Sequence, residues 1–402
     1  IHLGVTMRLM LSLLFTITLQ GCGGGSPAPN PLPVPVAKYV KAPTKVFPTS
    51  YENMKNTGYG QIKFPATPIP LAYSLANFNN KGNLDLFTAT VQYTKDNLVN
   101  ATLQFYEQDG FGGWDKINLL TSDSESCLHP RKGVVADFNQ DGKPDIYVAC
   151  TGWDYDPYPG EHGLIILSQA DGKYKSKKTN FSGYLHSATA ADLNGDGYPD
   201  LIVGDSMWGH RANQGNWGIN ILLNNKNGEF TLDKSGRYYS ESNEGLLTSK
   251  INTLEFGPFA VELIDVNLDG KLDLLIGYHY ENGLGATLNL NNGNNYFLNK
   301  PSNFIPSDLG YGFALDFTFV VEGANRILYI NKTGDRSKPT AGFYDGTYVQ
   351  KYNLTTSTST VLRNTSLGRD YASPWTAWFV PSTDGKSITP YHFTAHNGYT
   401  LK

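Results

Sequence analysis

The chain has 402 residues, a formal net charge of -4 and 17% charged residues. This length suffices for one large repeat domain or two ordinary domains, and either could bury a substantial core. No run of Lys or Arg could neutralise a row of phosphates, which argues against nucleic acid as a partner. The 25 Tyr, 20 Phe and 42 Gly favour short β-strands joined by tight turns over long amphipathic helices.

The first residues are typical of an export signal rather than of a folded element. Met7 and Arg8 precede an apolar run from Leu9 to Leu19, which is too short to span a bilayer as a helix. The segment Leu19-Gln20-Gly21-Cys22 resembles a bacterial lipobox, and the resemblance implies cleavage before Cys22 and lipidation of that residue. An ordinary signal peptide or a hydrophobic N-terminal strand is the alternative interpretation.

This interpretation divides the chain into three parts. We expect residues 1–21 to be a signal peptide, with residues 1–6 upstream of an initiator Met7 and not translated. Residues 22–37 form a tether rich in Gly, Ser and Pro, and residues 38–402 form the folded domain. We expect an exported bacterial lipoprotein of the outer membrane, on its periplasmic or surface face, that contacts the membrane only through the lipid anchor.

Cys127 and Cys150 are the two cysteines that remain after the lipidated one. In an exported protein, two remaining thiols most simply form a disulfide, and this pair flanks one copy of the repeat described below. Two buried free thiols are the alternative.

An internal repeat is the strongest pattern in the sequence. Nearly complete copies occupy residues 136–145, 191–200 and 264–273. A decayed copy occupies residues 76–85, and fainter echoes follow around Leu315-Asp316-Phe317 and around Trp378-Phe379. The clear copies are polar, glycine-containing loops between short apolar segments, which predicts a strand, a loop and a strand for each.

The spacing of the copies predicts the fold. Successive copies begin roughly fifty to seventy residues apart, about the length of a four-stranded sheet with its loops. One such sheet cannot bury both faces alone, whereas sheets packed radially cover one another. We therefore expect an all-β protein, a β-propeller of six or seven four-stranded blades. A linear β-solenoid and a two-sheet sandwich are the alternatives.

The repeated loops have the chemistry of a calcium site. Calcium takes six to eight oxygen ligands from carboxylates, amides, backbone carbonyls and water. Alternate side chains of such a loop can converge on one ion, a glycine allows the sharp turn, and a later Asp returns a carboxylate. The expected ligands of about three Ca²⁺ ions are Asp137, Asn139, Asp141, the Lys143 carbonyl and Asp145; Asp192, Asn194, Asp196, the Tyr198 carbonyl and Asp200; and Asp265, Asn267, Asp269, the Lys271 carbonyl and Asp273. Polar turns satisfied by backbone amides are the alternative.

The decayed copy differs from the others at two positions. Asn77 replaces the first Asp, and Lys81 occupies the central acidic position. We expect the Lys81 ammonium to stand in for the metal and to contact Asp85, so that this loop binds no calcium.

The four loops and their apolar flanks resemble FG-GAP or VCBS repeats, which occur in integrin α-subunit propellers and in many bacterial surface proteins. The resemblance covers most of residues 76–277. It implies a propeller, usually of seven blades, in which each calcium loop joins the first two strands of a blade on its lower face. Six repeat positions can be counted here, and residues 39–70 are candidates for strands that close the ring.

Strand alternation places a different set of connections on the opposite face. These connections precede the first strand or follow the second strand of a blade. Their candidate ligand-binding residues are His129, Arg131, Trp153, Tyr155, Asp156, His186, Trp208, His210, Arg211 and His279, with Asp154, Tyr158 and Tyr280 beside them. Such a surface suits sugar rings, which stack on aromatics and hydrogen-bond to polar side chains. Aromatics packed between blades and buried hydrogen-bonded histidines are the alternative.

No nucleophile with an adjacent base, zinc motif or phosphate-binding glycine loop is apparent in the sequence. We therefore predict a calcium-stabilised, lipid-anchored envelope module for binding or adhesion, whose partner is a glycan or an envelope or extracellular protein. A polysaccharide-acting hydrolase or lyase is one alternative, because paired carboxylates such as Asp154 and Asp156 could serve such an enzyme. A structural envelope scaffold without a small ligand is the other alternative.

Overall fold

A computed structural model describes part of the chain. It covers residues 72–83, 85–108, 114–206, 218–226, 228–235, 257–280, 284–297, 303–306, 312–333, 346–366, 375–381, 388–394 and 398–401. These residues form the strands β1 to β23, which confirms the all-β prediction. Within the same ranges, no helix is long and apolar enough to cross a membrane. The predicted signal peptide, Cys22 and the tether lie outside the described residues.

The strands pair antiparallel in chain order, four at a time. The first sheet contains β1 (Ala72–Ala76), β2 (Asp85–Thr90), β3 (Thr102–Gln108) and β4 (Trp114–Ile117). The second contains β5 (Pro130–Ala136), β6 (Asp145–Cys150), β7 (Glu161–Ser168) and β8 (Tyr174–Gly183). The third contains β9 (Leu185–Ala191), β10 (Asp200–Asp205), β11 (Gly218–Asn224) and β12 (Phe230–Leu232).

The same order continues towards the C-terminus. The fourth group contains β13 (Pro258–Ile264), β14 (Asp273–Tyr280), β15 (Leu284–Asn289) and β16 (Asn303–Pro306). The fifth contains β17 (Gly312–Glu322), β18 (Asn325–Thr333), β19 (Gly346–Asn353) and β20 (Thr358–Ser366). A short pairing between β14 and β17 joins these two groups into one eight-stranded sheet. The last strands are β21 (Trp375–Pro381), β22 (Ile388–Thr394) and β23 (Gly398–Leu401).

The second strand of a group is buried on both faces. Every residue of β6 and of β10 is buried, and both strands are nearly continuous apolar runs. An isolated sheet would leave one face of such a strand in water, so each face must be covered by a neighbouring sheet.

Neighbouring sheets provide that cover in turn. Val135 and Ile146 of the second sheet pack on Phe87 of the first sheet. Val134 and Tyr147, the next residues along the same two strands, pack towards the third sheet. The first strands β1, β5, β9, β13 and β17 also contact one another in chain order. Four-stranded sheets stacked through both faces around their first strands are the blades of a β-propeller, as predicted. The number of blades stays a prediction.

The four repeat loops join the first and second strands of the first four blades. We name them the first loop (77–85), the second loop (137–145), the third loop (192–200) and the fourth loop (265–273). The faint echo at Leu315-Asp316-Phe317 is not a remnant of such a loop, because all three residues lie within β17, which continues to Glu322. The echo at Trp378-Phe379 lies in β21.

A disulfide joins Cys127, just before β5, to Cys150 at the end of β6. Both cysteines are fully buried in the core between the first two blades. Beside this bond, the Thr151 N–H donates to the His129 carbonyl at 2.9 Å. The disulfide therefore holds the entry to β5 against the exit from β6, at the end of the strands opposite the second loop.

Candidate functional site

The last aspartate of each loop anchors that loop to its sheet. Asp145 begins β6 and is fully buried. One carboxylate oxygen accepts from the Phe138 N–H at 2.8 Å and the other from the Ser168 N–H at 2.7 Å. The equivalent donors are Leu193 and Asn224 for Asp200, and Val266 and Asn291 for Asp273. These aspartates therefore tie the start of the loop to the end of the third strand.

The first aspartate of each loop accepts bonds from the turn of its own loop. Asp137 accepts from the backbone N–H groups of Asp141 at 3.0 Å and Gly142 at 2.9 Å. Asp265 accepts from Asp269 and Gly270 in the same way. Gly142 has a φ of 82°, in the left-handed region that favours glycine. Backbone amides of the loop thus supply hydrogen bonds to the first aspartates, as the alternative interpretation expected.

The carboxylates of these loops nevertheless lie close enough to oppose one another's ionisation. Burial, with contributions from the nearby Asp141 and Asp137 carboxylates, raises the pKa of Asp145 to about 7. The same causes raise the pKa of Asp200 to about 7 and that of Asp273 to about 6. A divalent cation would relieve the repulsion, and the carboxylate, amide and carbonyl oxygens present are the donors that calcium prefers. The donor chemistry of three loops therefore fits calcium.

Across the described ranges, no group of three or more His, Cys, Asp or Glu is arranged to hold a metal ion. The residues that would hold calcium are the fifteen predicted from the sequence, whose first aspartates now accept from loop amides. Calcium binding stays a prediction.

The first loop carries a lysine in place of the central aspartate. Lys81 Nζ lies 2.6 Å from Glu107 Oε2 on β3. Asp85 instead accepts from the backbone N–H and the side-chain amide of Asn79, at 2.8 and 2.9 Å. The predicted contact between Lys81 and Asp85 is therefore wrong, because the Asp85 oxygens are engaged within the loop. That this loop binds no calcium stays a prediction.

A polar cluster lies at the other end of the blades and centres on Asp154, in the connection from β6 to β7. Arg131 Nη2 donates to Asp154 Oδ2 at 2.7 Å, and the Tyr184 hydroxyl donates to Asp154 Oδ1. The Tyr93 hydroxyl accepts from the Asp154 N–H at 3.2 Å and lies 2.7 Å from His129 Nδ1. We call these five residues the rim cluster. They come from the first three blades, so the cluster exists only when the blades are assembled.

His129 is held neutral within the rim cluster. Its Nδ1 lies 3.8 Å from Asp154 Oδ2, a distance that would allow an ion pair. However, burial and the adjacent Arg131 guanidinium lower the pKa of His129 to about 2. The neutral ring forms a hydrogen bond between its Nδ1 and the Tyr93 hydroxyl, and the ring tautomer determines which of the two atoms donates.

Aromatic rings surround the rim cluster. The ring centroids of Trp153 and Tyr155 are 5.7 Å apart, and Tyr155 is 40% exposed. Trp153 Nε1 is buried and has no hydrogen-bond partner among the described residues. His186 packs against Tyr184 at 4.9 Å and against Phe259 of the fourth blade at 4.2 Å. An apolar, partly exposed surface thus borders a set of polar groups.

The structure brings together part of the predicted ligand surface. His129, Arg131, Trp153, Asp154, Tyr155 and His186 lie in or beside the rim cluster, as does Tyr158, whose ring meets Tyr184 edge-on at 5.7 Å. Asp156 is exposed in the same connection. Trp208, His210 and Arg211 lie outside the described residues. His279 and Tyr280 end β14, and their side chains are likewise not described.

Sequence reasoning missed Tyr93, Tyr184 and Phe259. Tyr93 follows β2 just as Trp153 follows β6, so the rule that selected Trp153 would have found Tyr93 in the first blade. Tyr184 lies in the connection that enters β9, two residues before the predicted His186. Phe259 sits in β13 and carries no polar signal.

The family comparison agrees with this arrangement of loops and blades. The model of the FG-GAP-like repeat matches residues 137–203, which span the second and third loops. Fold and repeat together define the class of protein: a β-propeller that contains FG-GAP-like repeats.

Among curated proteins, the chain is similar to integrin alpha-3. It is 27% identical to the Mus musculus protein over 186 residues, which are 44% of this chain and 16% of the integrin. For Cricetulus griseus the identity is 27% over 151 residues, which are 36% of this chain and 13% of the integrin. The matches thus span less than a fifth of the integrin chains.

The matching solved structures are more distant in sequence. A putative 6-phosphogluconolactonase from Bacteroides fragilis has a TM-score of 0.42 and 14% identity, covering 83% of this chain and 82% of that chain. A GH74 enzyme of Niastella koreensis has a TM-score of 0.43 and 14% identity, covering 86% of this chain and 47% of the enzyme. Similarity at this level identifies no substrate.

Proposed function

We propose that the protein is a calcium-stabilised, lipid-anchored binding module of the bacterial cell envelope, which recognises a glycan or an envelope protein through the rim cluster and its aromatic border. The observation that carries the proposal is the contact of the Trp153 indole with the exposed Tyr155 ring, directly beside the polar groups of the rim cluster.

The neighbouring polar groups support a ligand that carries hydroxyl or amide groups. Arg131 and Tyr184 both donate to Asp154, so the cluster is pre-organised before any ligand arrives. Sugar rings combine C–H faces that stack on aromatics with hydroxyls that accept and donate hydrogen bonds. The combination of aromatic rings and polar groups therefore favours a glycan over an envelope protein as the partner.

The loops support stability rather than recognition. They lie at the end of the strands opposite the rim cluster, and their donor chemistry fits calcium. An ion bound only by the folded chain stabilises the fold by mass action. The lipid anchor is proposed from the sequence around Cys22 alone.

A glycan and envelope-protein binding screen on the purified full-length protein, with calcium and with a chelator, tests the proposal. Against a ligand found in this way, Trp153→Ala and Asp154→Asn should each weaken binding at least about tenfold, about 1.4 kcal/mol. Tyr296→Ala is the matched control, because this aromatic lies in the hairpin from β15 to β16 at the loop end of the blade. Equal binding by Trp153→Ala and the unaltered chain would contradict a ligand site at the rim.

One contact favours a second candidate function, a polysaccharide-acting hydrolase or lyase. The Tyr184 hydroxyl donates directly to the Asp154 carboxylate, an arrangement in which a proton can be exchanged with a bound substrate. Incubation of the protein with each glycan that it binds, followed by product analysis, separates the two functions. Chain cleavage that disappears in Asp154→Asn, with binding retained, would make the protein an enzyme.

A further inference from the structure

The second and third loops are bonded to each other directly. Gln140, in the second loop, donates from its side-chain amide to the backbone carbonyl of Gly197 in the third loop. Gln140 is exposed, and Gly197 has a φ of 92°. A Cβ at Gly197 would lie only 2.8 Å from Gln140 Nε2, so a larger residue there would require the Gln140 side chain to shift.

Asn224, at the end of β11, bridges the same two loops at a second point. Its side-chain Nδ2 donates to the carbonyls of Phe138 at 2.9 Å and Pro199 at 3.0 Å. Its backbone N–H donates to Asp200 Oδ1 at 2.8 Å. One buried residue of the third blade therefore holds the start of the second loop and the end of the third.

Both ties join positions that border predicted calcium ligands. Gln140 lies between the ligands Asn139 and Asp141. Gly197 lies between two predicted ligands of the third-loop site, the Asp196 side chain and the Tyr198 backbone carbonyl. The side chain that bonds the two loops thus starts inside one ligand set and ends inside the other.

Other pairs of loops have bridges of the Asn224 kind but no equivalent of Gln140. The Tyr174 hydroxyl donates to the carbonyls of Phe78 at 3.2 Å and Pro144 at 3.0 Å, and bridges the first and second loops. At the position of Gln140, the third loop has Gly195 and the fourth loop has Leu268, neither of which has a side-chain donor. The first loop has Asn80 there, whose side-chain amide makes no bond to the second loop among the described residues. Among the described residues, the side-chain bond from one loop to the next is specific to the second and third loops.

We propose that calcium binding at the second and third loops is positively coupled and that Gln140 is the coupling residue. The proposal rests on the calcium sites of the proposed function. Fixing Asn139 and Asp141 for metal binding also fixes the backbone of Gln140 between them. Its side chain then restrains the Gly197 peptide, which lowers the entropic cost of ordering Asp196 and Tyr198 for the second ion. The coupling is reciprocal, because it is a free energy shared by the two sites.

A calcium titration of the full-length protein, freed of metal by a chelator and followed by isothermal titration calorimetry, tests the coupling. Asp196→Asn disables the third loop and should lower the calcium affinity of the second loop about fivefold. In the Gln140→Ala background, the same substitution should leave that affinity unchanged. The Gln140→Ala chain alone should bind the same number of ions with a shallower isotherm.

Leu268→Ala is the matched control. Leu268 occupies the position of Gln140 in the fourth loop, is exposed, and has a φ of 64° where Gln140 has 58°. Both substitutions therefore place alanine in the same strained backbone conformation, and Leu268→Ala should leave the effect of Asp196→Asn intact. Identical isotherms for Gln140→Ala and the unaltered chain would overturn the coupling but not the calcium sites. Absence of calcium binding to the unaltered chain would overturn both.

Discussion

Lys132 on β5 and Glu262 on β13 form a buried ion pair that joins the second blade to the fourth. Their side chains are 11% and 4% exposed, and Lys132 Nζ also donates to the Val261 carbonyl at 3.2 Å. Burial, together with the nearby Glu262 carboxylate, raises the pKa of Tyr73 on β1 well above its usual range. First strands of three blades thus meet around one carboxylate.

Removing one charge of this ion pair should destabilise the fold strongly, whereas replacing both charged side chains by apolar ones should destabilise it little. Lys132→Met leaves the Glu262 carboxylate buried without its cation, which should cost about 3 to 5 kcal/mol in chemical denaturation. The double variant Lys132→Met/Glu262→Leu should recover most of that loss, because it removes both charges. Lys177→Met, which removes a surface pair with Glu229, should change little. A single variant as stable as the unaltered chain would show that the pair does not join the blades.

His129 should make the stability of the fold depend on pH. Its pKa is near 6.5 in an unfolded chain and about 2 in the folded protein, so the unfolded state takes up the proton first as the pH falls. The stability contributed by neutral His129 is therefore present above about pH 6.5 and is lost below it, by at most about 1.4 kcal/mol per pH unit.

A comparison of melting temperatures between pH 4 and pH 8 isolates this contribution. His129→Asn keeps a side chain that can hydrogen-bond to the Tyr93 hydroxyl but does not titrate, so the difference between variant and unaltered chain removes the effect of the buried aspartates. The unaltered chain should lose stability faster than His129→Asn as the pH falls below 6.5. Parallel curves would mean that the ring is charged in the folded protein.

The disulfide should stabilise the second blade. The bond closes a loop across a sequence separation of 23 residues, for which the chain-entropy relation gives about 3 kcal/mol. Cys127→Ala/Cys150→Ala should therefore melt at a lower temperature than the oxidised chain. A reductant should lower the melting temperature of the unaltered chain and leave that of the double variant unchanged. An effect of the same size on both chains would point to another cause.

The loops and blades could be predicted because they repeat. The motif at residues 136–145 recurs with the same Asp and Gly positions, and each loop lies between a first and a second strand, as the family resemblance implied. Val134 and Val135 are adjacent apolar residues whose side chains pack towards different neighbouring blades, because the second blade is covered on both faces. At these positions, the repeated sequence pattern and the packing between blades indicate the same structure.

The contacts between blades could not be predicted, because they depend on how the ring is assembled. Tyr184 and Asp154 are 30 residues apart, and Lys132 and Glu262 are 130 apart, with no local pattern to relate them. For Lys81, a contact with a carboxylate was predicted, but the predicted carboxylate was Asp85 and the observed one is Glu107. The choice between Asp85 and Glu107 depends on whether Asn79 already occupies the Asp85 oxygens.

Calcium should raise the melting temperature of the protein. At a concentration one hundred times the dissociation constant, each occupied site adds about 2.7 kcal/mol of stability. Scanning calorimetry with calcium, with magnesium and with a chelator measures this directly. Magnesium should stabilise less, because it demands a more regular set of ligands than these loops offer. Identical melting curves in calcium and chelator would mean that the loops bind no ion.

Anomalous diffraction from a crystal grown with calcium locates bound ions directly. We expect one peak each within the second, third and fourth loops, beside Asp141, Asp196 and Asp269, and none in the first loop, where Lys81 stands. A peak in the first loop, or none in the other three, would contradict calcium binding by these three loops alone.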